Sequence, residues 1–250
     1  MANQYRHLFL RPSHVSTENY MSPKRGDKKE PPIREHSEHG SRLKSRLDNA
    51  WQEAQDRGEE RKALGLPMHD GVYISIEGEQ GYELPIKSLE DKKKGIRIAN
   101  AYFENEVHYA VLFVPMRYRN HLLQKIEDYK NKGKNQALVA TINDIKTAVI
   151  ESFWTEAPDL IPQQNKKWCE LWLLVLNEDE NSVPQTVENF KSLAETFGIE
   201  LKSHELQFPE RTVMMARLNG EDIVNLIESS PAIAEFRLAK EPAYLYYGSV

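Results

Sequence analysis

Trp168-Cys-Glu-Leu-Trp-Leu-Leu-Val-Leu176 is the stretch on which the fold turns. Its mostly apolar run fits a strand in the middle of a sheet rather than at its edge. Downstream, Ser182 stands at a helix N-cap with Pro184 near the first turn. Val187, Phe190, Leu193, Ala194 and Phe197 recur at helical spacing until Gly198 ends the run. Ile199 to Phe208 and Arg211 to Leu218 are strands around a Pro209-Glu210 turn. Asn219 and Asp222 cap a helix that buries Ile223, Leu226 and Ile227, and Ile233 to Leu238 is a last strand. The order is β-α-β-β-α-β, the ferredoxin-like plait of an α+β fold.

Read outward from there, the preceding stretch repeats the theme. Val72 to Glu77 alternates apolar and polar, as a strand does. Leu84 to Lys93 reads as a short helix with Ile86 and Leu89 inward. Ile96–Phe103 and Val107–Val114 form a hairpin around Glu104-Asn-Glu. Pro115 opens a helix through Tyr129. Leu138, Ile142, Ile145, Val149 and Phe153 then predict one long helix over Ala137–Trp154. Phe113-Val-Pro leading into Asn120-His-Leu-Leu mirrors Ala216-Arg-Leu leading into Asp222-Ile-Val-Asn, which reads as a divergent duplication. The first copy then lacks a fourth strand, and Tyr5 to Leu10 is the candidate to supply it.

Four segments result: a strand, polar arm and helix over 1–70, a first plait-like unit over 71–156, a ferredoxin-like unit over 168–240, and an extended tail over 241–250. Ser13 to Pro32 is too polar to bury much area. The helix after it, Ile33 to Leu64, has a narrow stripe of Leu43, Leu47, Ala50, Trp51 and Ala54, which predicts docking along one edge through Leu43, Leu47 and Trp51. Pro242 interrupts strand pairing, so Tyr244, Leu245, Tyr246 and Tyr247 are bulky groups on an extended tail, suited either to another protein's surface or to the plait itself.

Composition narrows the chemistry. The chain has 250 residues, 33 Lys+Arg against 38 Asp+Glu, and a net charge of −5, so it is no strongly basic nucleic-acid binder. Its single cysteine, Cys169, excludes an intramolecular disulfide framework and a cysteine zinc site, and fits a reducing, cytoplasmic compartment. No apolar run is long enough for a membrane helix, and the start has no signal-peptide core. No glycine-rich phosphate loop occurs. Arg211 to Leu218 has no aromatic side chain to stack an RNA base, and Tyr109 and Phe113 are better placed to pack under a helix. His36 and His39 share a helix face but have no third ligand at a fixed spacing, so neither a metal nor a cofactor is expected. Glu38-His39-Gly40-Ser41 resembles one loop of a serine peptidase, without the companion Asp and Ser loops. No catalytic residue is assigned, and Lys92-Lys-Lys and Lys130 to Lys134 read as loop and helix-end charges.

Several landmarks carry a resemblance. They are His7-Leu, Tyr20-Met-Ser-Pro-Lys-Arg-Gly26, Pro31-Pro-Ile-Arg-Glu-His36, Phe113-Val-Pro, Lys125-Ile-Glu-Asp-Tyr129, Lys134-Asn-Gln-Ala-Leu-Val139, Phe208-Pro-Glu-Arg211 and Ala234-Glu-Phe-Arg-Leu-Ala-Lys240. On these the chain resembles the N-terminal, non-catalytic region of bacterial subtilisin-like serine peptidases encoded beside an AAA-type ATPase and linked to phage or plasmid defence. The resemblance implies a peptidase domain beyond this region, with none of its catalytic loops before Val250. It implies a prodomain-like inhibitor or folding aid, whose sheet covers the enzyme through Phe208, Pro209, Glu210 and Arg211 and whose tail places Tyr244 to Tyr247 in the cleft as an added strand. A second reading is a docking or sensor module for the ATPase, and a third is a plait that holds a small ligand between its two copies.

Overall fold

Asn219 accepts from the backbone N–H of Asp222 at 2.9 Å while Asp222 accepts from the backbone N–H of Asn219 at 3.0 Å, a closed capping box. It starts a helix inside the expected plait, whose elements are β5 (Lys167–Leu174), α5 (Ser182–Thr196), β6 (Glu200–Gln207), β7 (Arg211–Leu218), α6 (Gly220–Ser229) and β8 (Ile233–Leu238). The sheet order is β6-β7-β5-β8 with every neighbour antiparallel, so the Trp168 strand is central as its apolar run demands. The computed structural model describes residues 30–175, 182–208 and 210–240.

The first plait has the same strand order: β1 (Gly71–Gly78), β2 (Arg97–Glu104), β3 (Val107–Pro115) and β4 (Ile142–Thr147) lie as β2-β3-β1-β4. β2 and β3 are joined by Asn105 and Glu106, both at positive φ (49° and 63°), the backbone a two-residue type I′ turn needs. The helix α2 (Asn120–Lys132) links β3 to β4 through the short α3 (Gln136–Val139), and α4 (Ile150–Phe153) follows β4. Two expectations are corrected here. The long helix over Ala137–Trp154 is instead α3, β4 and α4, so the fourth strand comes from Ile142–Thr147 and needs nothing from Tyr5–Leu10, which lie outside the described residues. The helix expected over Leu84–Lys93 is two 3-10 turns, Ile86–Ser88 and Lys92–Lys94, in a loop that still buries Leu84 and Leu89.

The helical spacing was produced by a bulge. β1 pairs Gly78 with Ile142 and Glu77 with Asp144, leaving Asn143 as an extra residue. That brings Ile142 and Ile145, three apart, to one buried face, where a regular strand would place them on opposite faces. Within β4 the β-branched residues Ile142, Ile145 and Thr147 favour the strand.

The α1 helix (His36–Ala63) starts at Glu35, whose carboxylate accepts from the backbone N–H groups of Ser37 and Glu38. It packs beside α2 and β4. Contact is close at Gly40, where a Cβ would sit 2.8 Å from Lys130 Cβ. Leu43, Leu47 and Trp51 are buried with Val72, Ile74, Ile76, Leu122 and Ile126. The stripe read as a docking edge therefore belongs to the chain's own first core. A second core fills the other plait and extends through Tyr73, Ala99, Val111 and Phe113 of the first sheet and Phe153 of α4, so the two plaits share buried apolar surface.

Candidate functional site

A ferredoxin-like sheet has one face under its helices and one face free. In the second plait Cys169, Leu171 and Leu173 enter the core beneath Val187, Phe190, Ile223 and Leu226. Alternation turns Trp168, Glu170 and Trp172 the other way. Their cross-strand partners are Arg217, Met215 and Val213 on β7, and Glu170 and Trp172 face Arg237 and Glu235 on β8. Leu206 on β6 pairs with Val213 and is 65% exposed. Phe208 is 45% exposed and stacks on Trp172 with ring centroids 5.9 Å apart and planes 8° from parallel.

Cations cover the tryptophans. Lys202 Nζ lies 4.2 Å from the Trp168 ring centroid and Arg237 lies 4.7 Å from that of Trp172. Arg217 pairs with Glu200 at 3.3 Å and Arg237 with Glu235 at 3.0 Å. The face thus has an aromatic centre, the exposed apolar pair Leu206 and Phe208, and a rim carrying both signs of charge. That composition fits a protein surface better than a polyanion. The sequence carries this signal as two tryptophans four apart in one strand, on β5 rather than in Arg211–Leu218.

The expected contact residues separate. Phe208 lies on the open face, while Pro209 lies outside the described residues. Glu210 reaches back to Lys92 of the first plait at 3.1 Å. Arg211 donates to the carbonyl of Ala99 at 2.8 Å and is half-buried, with burial pulling its pKa down. Both are therefore joined to the first plait, Arg211 half-buried and Glu210 exposed. Tyr244, Leu245, Tyr246 and Tyr247 lie outside the described residues.

The remaining candidates resolve into structure. His39 donates from Nε2 to the carbonyl of Val139 at 3.1 Å and accepts from Arg42 at Nδ1, while burial pulls its pKa down. His36 packs on the Tyr129 ring at 4.5 Å. Ser41 donates to the carbonyl of Ser37 within α1. Among the described residues no three His, Cys, Asp or Glu side chains could hold a metal ion, and no helix is long and apolar enough to cross a membrane. The cavity lined by Met68, His69, Tyr73 and Ile227 holds about 20 Å³, room for a water but not for a small ligand.

No protein-family description matches the chain, and no curated protein matches it. Among solved structures it is similar to the acetolactate synthase small subunit from Thermotoga maritima, at 12% identity and a TM-score of 0.21, over 66% of this chain and 91% of that one. At that score the likeness carries no argument about function, and the plait assignment stands on strand order and pairing.

Proposed function

We propose that the chain is a non-catalytic docking module that applies the open face of its second sheet to a partner protein. The observation that supports this is the face of that sheet turned away from its helices, where the half-buried Trp168, Trp172 and Met215 and the exposed Leu206 and Phe208 form an apolar and aromatic surface with a charged rim. The partner proposed is a subtilisin-like peptidase domain, on the resemblance stated above. The module would cover the enzyme as a pro-segment does, with the tail after β8 entering the cleft and inhibiting by occupancy. A direct ATPase contact through Leu43, Leu47 and Trp51 is not carried forward, because those side chains are buried.

The test is to add the full chain to the cognate peptidase domain and follow cleavage of a peptide substrate. Inhibition at micromolar concentration is expected, with a loss of about ten-fold or more in affinity for Trp168→Ala or Phe208→Ala and none for the remote Lys62→Ala. Unchanged cleavage with the wild-type chain, or equal inhibition by all variants, overturns the proposal.

A further inference from the structure

The loop that replaces a helix in the first plait brings lysines against the start of α2. Asp91 and Ile96 bond each other's backbones at 3.0 Å in both directions, which fixes the 3-10 turn between them. From that turn Lys94 Nζ reaches Asp91 Oδ2 at 2.8 Å and His121 Nδ1 at 3.3 Å. Lys125, one turn beyond His121 on α2, donates from Nζ to the carbonyl of Ser88. Lys94, Lys125 and His121 thus converge on one another from a loop closed by its own backbone hydrogen bonds and from a helix joined to it by the Lys125–Ser88 and Lys94–His121 contacts.

The donors outnumber the acceptors. An ammonium has no lone pair, so Lys94 is the donor to Nδ1 and the neutral ring of His121 carries its hydrogen on Nε2. That Nε2–H is buried without a hydrogen-bond partner. Each ammonium has three hydrogens, and the bonds seen use two on Lys94 and one on Lys125. Asp91 is the carboxylate that acts on all three groups, so two full positive charges face one negative charge. Burial, then the neighbouring cations, push the pKa of His121 down, and burial pushes down that of Lys125.

We infer that Lys94, His121 and Lys125 form a binding site for a phosphate group. A phosphate supplies several acceptor oxygens in a tetrahedral array and up to two negative charges, matching the several unused donor hydrogens and the excess positive charge of groups held on separate elements better than a singly charged carboxylate does. Lys92 is paired with Glu210 and lies outside the site.

Titration of the full chain with inorganic phosphate, against sodium chloride at matched ionic strength, tests this through the imidazole resonances of His121. Phosphate should shift them saturably, raise the His121 pKa against Lys94, Lys125 and Asp91, and raise the melting temperature by about 3 °C. Lys94→Met and Lys125→Met should each weaken binding about ten-fold or more. Lys132→Met removes one charge from the same helix, where that lysine pairs with Asp128, and should leave binding unchanged. Adenosine monophosphate distinguishes the sources: tighter binding than inorganic phosphate assigns the site to a phosphate monoester, and equal binding assigns it to the free anion. Chloride acting like phosphate, or Lys132→Met weakening binding as much as Lys125→Met, overturns the site.

Discussion

The hydroxyl of Tyr73, on the first strand of the first plait, donates to the carbonyls of Ser230 and Ile233 in the second, at 3.0 and 3.1 Å. The residue is 4% exposed, and its ring packs edge-on against Phe153 at 4.9 Å. One side chain therefore bonds the turn between α6 and β8 to β1. Tyr73→Phe keeps the ring and strips a donor from two carbonyls in a buried setting, which costs about 1–3 kcal/mol. Urea unfolding of the pair measures it. Loss in that range with one cooperative transition is expected; an unchanged midpoint would mean the junction is no part of the cooperative core.

His69 gives the junction a pH dependence. It sits edge-on to Tyr73 and Phe113 at 5.4 and 5.2 Å, and burial pulls its pKa down to about 4. The unfolded chain titrates near 6.5, so between those values the unfolded state binds the extra proton. Stability is therefore full above about pH 7, falls as pH drops through 6.5 and flattens below about 4. Between pH 7.5 and 5.5 this group alone costs about 1 kcal/mol. His69→Leu should remove that part of the slope, leaving the contributions of His39 and His121, whose pKa values are also lowered. A wild-type and variant pair with parallel stability curves over that range would exclude His69 as the group.

Leu47 decides what the α1 stripe is for. It is fully buried with Ile74, Ile126 and Ile145. Leu47→Ala should cost about 2–5 kcal/mol, the range for truncating a buried leucine. A docking residue would cost little in the free chain. Chemical denaturation reads the difference, and a loss below about 1 kcal/mol would return the stripe to the surface.

The second plait was legible because each local signal agreed: the Asn219 box, the Gly198 stop and the apolar run at Trp168 pointed to one order of elements. The first plait was legible in its hairpin and α2 but not in β4, because the extra Asn143 gives Ile142 and Ile145 a helix-like spacing. The α1 stripe was seen, yet nothing in one strip of sequence states what covers it. The open face was half visible, since alternation sorts Trp168 and Trp172 from Cys169 and Leu171, but only pairing brings Met215, Leu206 and Phe208 beside them. The convergence of Lys94 with His121 and Lys125 depends on a loop taking a helix's place, and no spacing encodes that.

Cys169 reports on how the core opens. It is fully buried in β5 between β7 and β8, and burial pushes its thiol up to about 12. The reactive thiolate is thus scarce in the native state, and labelling must wait for the sheet to open. Native chain should react with an aromatic disulfide at least about a thousand-fold more slowly than urea-unfolded chain. If β5 and the Tyr73 junction open together, Tyr73→Phe speeds labelling by the same free energy it removes from stability, about 5- to 150-fold for 1–3 kcal/mol. Faster unfolding without faster labelling would mean that the second plait opens independently of the junction, and that the shared core does not act as one cooperative unit.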